Sequence, residues 1–161
     1  MTFAIRDAKP LDLPYIVDLN DEIQRQHASW YPDDFRYPTD AERMAKYFGR
    51  LLQDDTQNLL VATVGEEIVA YLWYEIHRRR RTPHKQAMSR LEVHHVFVRP
   101  SHRRQGIAAG LFDYVRRIAV AESLRDIALS TWACNSGAQA FFASQGLEVF
   151  KLSLRAKLDA M

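Results

Sequence analysis

"VFVRPSHRRQGIAAG", residues 96–110, joins an apolar run to a proline, a basic turn, a glycine and then small and branched apolar residues. Pro100 has no amide hydrogen and a fixed φ, so it closes a strand predicted over 89–98. From Gly106 onward, Ile107, Leu111, Tyr114, Val115 and Ile118 recur at three- and four-residue spacing, which predicts a helix running to about Ala121. The segment therefore reads as strand, short turn and helix. Amide hydrogens at a helix N-terminus have no carbonyl partner and carry the positive end of the helix dipole, so such a corner can hold an anion such as phosphate. Gly106 removes a side chain where a phosphate would approach the backbone, Ala108 and Ala109 keep the next positions small, and Arg103 and Arg104 add positive charge. A solvated, purely structural helix start has the same composition, and this segment alone leaves both readings open. No Lys-Ser or Lys-Thr follows the glycine, against a P-loop, and the third glycine of the dinucleotide fingerprint is missing.

Before this corner, Phe3 and Ile5 suggest a first strand, and Asp12 opens a helix with Tyr15, Ile16, Leu19 and Ile23 on one face, fading near His27. The aromatic and proline-rich "SWYPDDFRYP" (29–38) reads as an ordered loop. Thr39 and Glu42 form a capping-box pattern ahead of a helix that turns Met44, Tyr47, Phe48 and Leu51 inward. The period then changes to two: 59–64, a Gly65-Glu66 turn and 68–76 read as an antiparallel hairpin, followed by a basic loop over 77–87. After the helix of the corner, 127–133 is a strand, Ala138, Phe141 and Phe142 mark a short helix capped by Gly146, and "LEVFKLSL" (147–154) reads as a last strand. The fold expected is mixed α/β, a central sheet flanked by helices.

At 161 residues, with 47% hydrophobic and 26% charged residues, the chain has the length and composition of a single soluble domain. It has no apolar run of bilayer length and no basic-then-apolar leader at residue 1, so a cytoplasmic location with no membrane partner is expected. One cysteine, Cys134, excludes an internal disulfide and a thiolate-rich metal site. The net charge of +2 hides two basic clusters, "HRRRR" (77–81) and "RPSHRR" (99–104), which speak about partners rather than fold. The first has no interleaved aromatic residues, so nucleic acid is not expected as a ligand.

Arg103, Gly106 and Ala108 match motif A of the GCN5-related N-acetyltransferases (GNAT), and Val98-Arg99-Pro100 matches the strand end that usually precedes it. Asn135, Ala138, Phe141, Gly146 and Leu147 resemble the same family's motif B. With the element order included, the resemblance covers nearly all of residues 1–161. It implies a mixed, largely antiparallel sheet splayed between its fourth and fifth strands, and acetyl-CoA as co-substrate. In that reading the backbone of Val96, Phe97 and Val98 holds the pantetheine arm and the acetyl carbonyl. Amides from Arg104 through Gln105, Gly106, Ile107 and Ala108 to Ala109 hold the pyrophosphate, beside Arg103. The Asn135 side chain fixes the arm near the thiol.

The implied reaction is direct attack of a primary amine, on a small molecule or peptide, upon the thioester. Many relatives place a proton-donating tyrosine in motif B where this chain has Phe142, which has no proton to give and reads as an aromatic packing on the cofactor arm. A non-catalytic acyl-CoA-binding module is therefore the alternative. Glu92, where some relatives place a catalytic Glu, is the first choice for the base, and His94, on the same strand face, reads equally as the base or a substrate contact. His95 should face the other way unless a bulge shifts the parity, and the His pair lacks the spacing and further ligands of a metal site. Trp30, Tyr31, Tyr37 and Trp73 are candidates for the acceptor pocket. The resemblance also allows a homodimer.

Overall fold

A computed structural model of the chain describes residues 2–158. Among these residues the elements run β1 (Ala4–Asp7), α1 (Leu13–Trp30), α2 (Ala41–Leu51), β2 (Gln57–Val64), β3 (Glu67–Arg79), β4 (Met88–Val98), α3 (Ile107–Ala121), β5 (Asp126–Leu129) and α4 (Ser136–Ser144). The chain divides into two compact units, Met1–Ser130, which contains the whole sheet and α1 to α3, and Thr131–Met161, which contains α4.

The five strands lie in sequence order, antiparallel from β1 to β4, with β5 parallel to β4. Alternation within each strand sorts residues to two faces. Leu60 and Ala62 of β2, Leu72 and Tyr74 of β3, and Leu91 and Val93 of β4 pack with Ile107, Leu111, Val115 and Ala119 of α3. Leu59, Val61, Tyr71 and Phe97 pack on the opposite face with Ile16 and Leu19 of α1 and Phe48 of α2. Burying one such Leu or Ile stabilises the fold by about 1.5–3 kcal/mol. Gly110 lets α3 approach β1, since a Cβ there would sit 2.7 Å from the Phe3 ring.

The hairpin turns at Gly65, φ +59°, as its sequence predicts. The β4–β5 ladder is short, from Arg90↔Asp126 to Val93↔Leu129, and a two-pronged Arg90–Asp126 ion pair (2.6 and 3.3 Å) marks its start. Residues 95–98 of β4 then pair with β3 alone, beyond the end of the β4–β5 ladder.

Four sequence expectations are corrected. Asp40, not Thr39, caps α2 by accepting from the Arg43 amide (3.0 Å), because the Thr39 hydroxyl donates instead to Asp21 on α1 (2.5 Å). The first helix continues to Trp30, and Tyr15 stands exposed on it while Val17 and Asn20 turn inward. The strand predicted over 127–133 ends at Leu129. Residues 147–154 form no strand: alternation encodes a face, but a strand also needs ladder partners, and Val149, Phe150, Leu152 and Leu154 are exposed.

Candidate active site

Strand β4 leads into a single 3-10 turn, Pro100–His102, and α3 begins at Ile107. Between them Arg104 (φ +59°) and Gly106 (φ +82°) adopt left-handed backbone conformations. Such alternation gathers successive amides into an anion-binding concavity. The first helical hydrogen bond runs from the Gly110 amide to the Gly106 carbonyl (2.8 Å), so the amides of Ile107, Ala108 and Ala109 precede any i−4 partner in the helix. A Cβ on Gly106 would meet no protein atom within 4 Å, so its φ requires glycine and the space before it is open. Arg103 does not point its charge into this concavity. Its Nε donates to the Val98 carbonyl (3.0 Å) and its guanidinium lies over the Phe97 ring, 5.4 Å from the centroid, bracing the turn against the strand. Gln105 donates to the Ser101 carbonyl (3.3 Å) in the same supporting sense. Arg99 ties the end of β4 to α1 through Asp18 (2.9 Å).

Val96, Phe97 and Val98 lie where β4 has left β5. Alternate backbone groups along this stretch point away from β3. The corner and the open strand edge are thus continuous in the chain, as the sequence implied.

A register shift between Trp73 and Tyr74 makes His94 an extra residue in the β3–β4 ladder, since Trp73 faces His95 and Tyr74 faces Val93. This bulge is the parity change that would bring His95 onto the same face as its neighbour. His94 stacks on Trp73 (centroids 4.5 Å apart) and its Nε2 meets Glu75 Oε2 at 3.2 Å. His95 packs edge-on to Trp73 (5.1 Å). Glu92 stands opposite Glu75 in the ladder and so shares this face with His94, as expected.

His95 belongs to a buried relay that the sequence did not suggest. Asn20 Nδ2 donates to the Tyr71 oxygen (3.0 Å), and that oxygen lies 3.0 Å from His95 Nδ1. The direction of the Tyr71–His95 hydrogen bond follows the imidazole tautomer. Burial, reinforced by His27 and His94, pushes the His95 pKa down to about 4, and burial raises that of Tyr71. His95 is therefore neutral near pH 7.

Of the proposed acceptor-side aromatics, Trp73 packs against His94 and His95; its indole nitrogen donates to Gln57 (2.6 Å), and Tyr47 of α2 packs edge-on to it. Tyr37 donates to Asp21 (3.2 Å) instead. The run 77–81 is not one loop: β3 extends to Arg79, His77 meets Glu75 (3.3 Å) and Arg78 pairs with Glu122 (2.8 Å). Glu75 and His77 meet His94 on this face, a grouping the sequence reading did not name although both are polar residues on one parity of an apolar hairpin strand. Asn20 and Tyr71 gave none, because their partners come from distant parts of the chain.

In the second unit, Asn135 Oδ1 caps α4 by accepting from the Ala138 amide (3.1 Å). Phe142 is buried and its ring lies 5.4 Å from that of Phe141. The helix ends as predicted at Gly146 (φ +80°), with Leu147 N–H donating to the Phe142 carbonyl (3.0 Å) and Gly146 N–H to that of Ala143 (2.9 Å). Among the described residues no helix is long and apolar enough to cross a membrane.

Comparison with known proteins agrees with this fold. An uncharacterized N-acetyltransferase of Archaeoglobus fulgidus is 28% identical over 120 residues, which cover 71% of this chain and 76% of that protein. Among solved structures, a tetramutant of the BH1408 protein from Bacillus halodurans superposes with a TM-score of 0.89 at 22% identity, over 96% of this chain and 99% of that one. The aminoglycoside N-acetyltransferase AAC(6')-Iy, solved with the bisubstrate analogue CoA-S-monomethyl-acetylneamine, has a TM-score of 0.77 at 17% identity, over 99% and 100% of the two chains. At these identities the solved structures show a shared fold. The sequence profile of the Acetyltransferase (GNAT) family matches residues 21–147, well over half of the chain, which accordingly belongs to the GNAT acetyltransferase family.

Proposed function

We propose that the protein transfers an acetyl group from acetyl-CoA to a primary amine of a small molecule or peptide. The observation that carries this reading is the continuity of the open β4 edge at 94–98 with the left-handed turn at Gly106 and the start of α3. A turn with unpartnered amides at a helix start, next to a strand edge beyond its ladder, fits the pyrophosphate and the amide-containing arm of CoA. The bisubstrate complex of AAC(6')-Iy supports the same assignment.

Acetyl-CoA, when bound, supplies an acetyl group activated as a thioester. Backbone amides between Arg104 and Ala109 hold the pyrophosphate, with Arg103 and Gln105 fixing the turn. Backbone groups of Val96, Phe97 and Val98 would pair with the arm, and an amide hydrogen there would donate to the acetyl carbonyl oxygen. A preorganised donor of this kind is worth about 3–4 kcal/mol in acyl transfer. Glu92 accepts the proton lost by the attacking amine, and His94, oriented by Glu75, is the second group on that face. On the motif alone, Asn135 and Phe142 are assigned to the arm.

The second reading, a CoA-binding module without transfer activity, is favoured by one observation: Phe142 has no hydroxyl with which to protonate a departing thiolate. A thiol-release assay over a panel of amines separates the two. Free CoA with at least one acceptor supports transfer; acetyl-CoA binding with no release on any acceptor overturns it in favour of the module.

A further inference from the structure

Strand pairing assembles a group that linear spacing conceals. Glu75 and His77 stand two apart on β3, hence on one face, and His94 reaches the same face from the β4 bulge. Glu75 Oε2 lies 3.2 Å from His94 Nε2 and 3.3 Å from His77 Nε2, and the three ligand atoms all lie within 4.8 Å of one another. We propose that Glu75, His77 and His94 form a binding site for a single divalent transition-metal ion of the zinc class.

The donor set is two imidazole nitrogens and a carboxylate oxygen, the combination that binds zinc while leaving a coordination position open. With bonds of about 2.0–2.1 Å, ligand atoms around a tetrahedral zinc ion are about 3.3–3.4 Å apart, close to both Glu75–His separations. Only the third edge, between the two imidazoles, has to close. The side chains of Glu75, His77 and His94 are 22%, 40% and 30% exposed, open enough for an ion to enter. Stacking on Trp73 restricts the His94 ring before any ion arrives. Glu92 stands directly across the ladder from Glu75, a pairing of like charges that is unfavourable in a sheet and that a dication between the strands would offset. The expectation of no metal site rested on the two adjacent histidines lacking further ligands; the fold supplies Glu75 and His77.

The proposal shares His94 and Glu75 with the acetyltransferase reading, but its test reads metal binding and does not depend on turnover. Untagged full-length protein, stripped with a chelator, is titrated calorimetrically with zinc chloride and spectroscopically with cobalt(II). One equivalent is expected to bind, with cobalt giving visible absorption bands of a low-coordinate site. Glu75→Gln, His77→Ala and His94→Ala should each weaken zinc binding at least tenfold while retaining the wild-type circular dichroism spectrum. His84→Ala, which removes an exposed histidine outside the group, should leave the titration unchanged. The proposal is overturned if no zinc binds, if affinity persists in Glu75→Gln and His77→Ala, or if it is lost in His84→Ala.

Discussion

The Tyr71 hydroxyl lies 3.0 Å from His95 Nδ1 while accepting from Asn20 Nδ2 at the same distance, so one buried oxygen couples α1 to two strands of the sheet. Tyr71→Phe strands both partners. Leaving buried polar atoms unpaired costs about 1–3 kcal/mol. Urea denaturation should show a loss of that order, and a loss below about 0.5 kcal/mol would mean that the relay contributes little.

Arg6 grips Asp12 with two hydrogen bonds (2.6 and 3.0 Å), and the Lys9 amide donates to the same carboxylate (2.7 Å). The Arg6 guanidinium first, and the Lys9 amide second, hold the Asp12 carboxyl below its ordinary value, against the effect of burial. A carboxyl depressed in the folded state stabilises above its unfolded pKa, and that contribution is lost as pH falls through the folded value. Asp12→Asn should therefore lower stability at pH 7, by about 1–2 kcal/mol given the exposure of Arg6, with the gap closing below about pH 4. Denaturation curves from about pH 7 to pH 3 test this, and a gap independent of pH would refute the ion-pair account.

Gly106 at φ +82° tolerates no other residue without strain. Gly106→Val should cost about 1–3 kcal/mol yet leave a folded protein, while its side chain fills the space assigned to pyrophosphate. Thermal shift with acetyl-CoA is the measurement: wild type should be stabilised and the variant not. An undiminished shift would move the cofactor elsewhere.

Gly110 meets Phe3 so closely that Gly110→Leu should destabilise the fold by about 1–3 kcal/mol through overpacking. Adding Phe3→Ala should recover part of that loss. A double-mutant cycle measures the coupling, and strictly additive effects would exclude the contact as the cause.

If Glu92 accepts the amine proton, Glu92→Gln should lower kcat by on the order of a hundredfold with little change in the KM for acetyl-CoA. Steady-state kinetics with any acceptor found by the panel assay decide it. A rate unchanged by this substitution assigns the proton to another group.

The parts of the fold that local chemistry dictates were readable in the chain. Gly65, Gly106 and Gly146 each sit at a left-handed turn where an element was expected to start or stop, and Pro100 follows the end of β4 as its missing amide requires. What escaped depended on partners distant in sequence. Thr39 and Asp40 are both competent caps, and only the presence of Asp21 draws Thr39 away. The orientation of His95 turns on a bulge that alternation alone cannot show, and Glu75 meets His94 only because the strands pair in one register. Residues 147–154 show the opposite failure, a strand pattern with no ladder to join.

The bulge at His94 also separates chemistry from architecture. Val93 and Val96 remain in the α3-side core and Phe97 in the other, although a residue has been inserted between them. Position 94 thus behaves as a graft, gaining or losing a reactive side chain without re-aiming its neighbours. A lineage could vary the working face here while its core sequence stays fixed, and a designer deleting His94 would shorten the strand without turning it over.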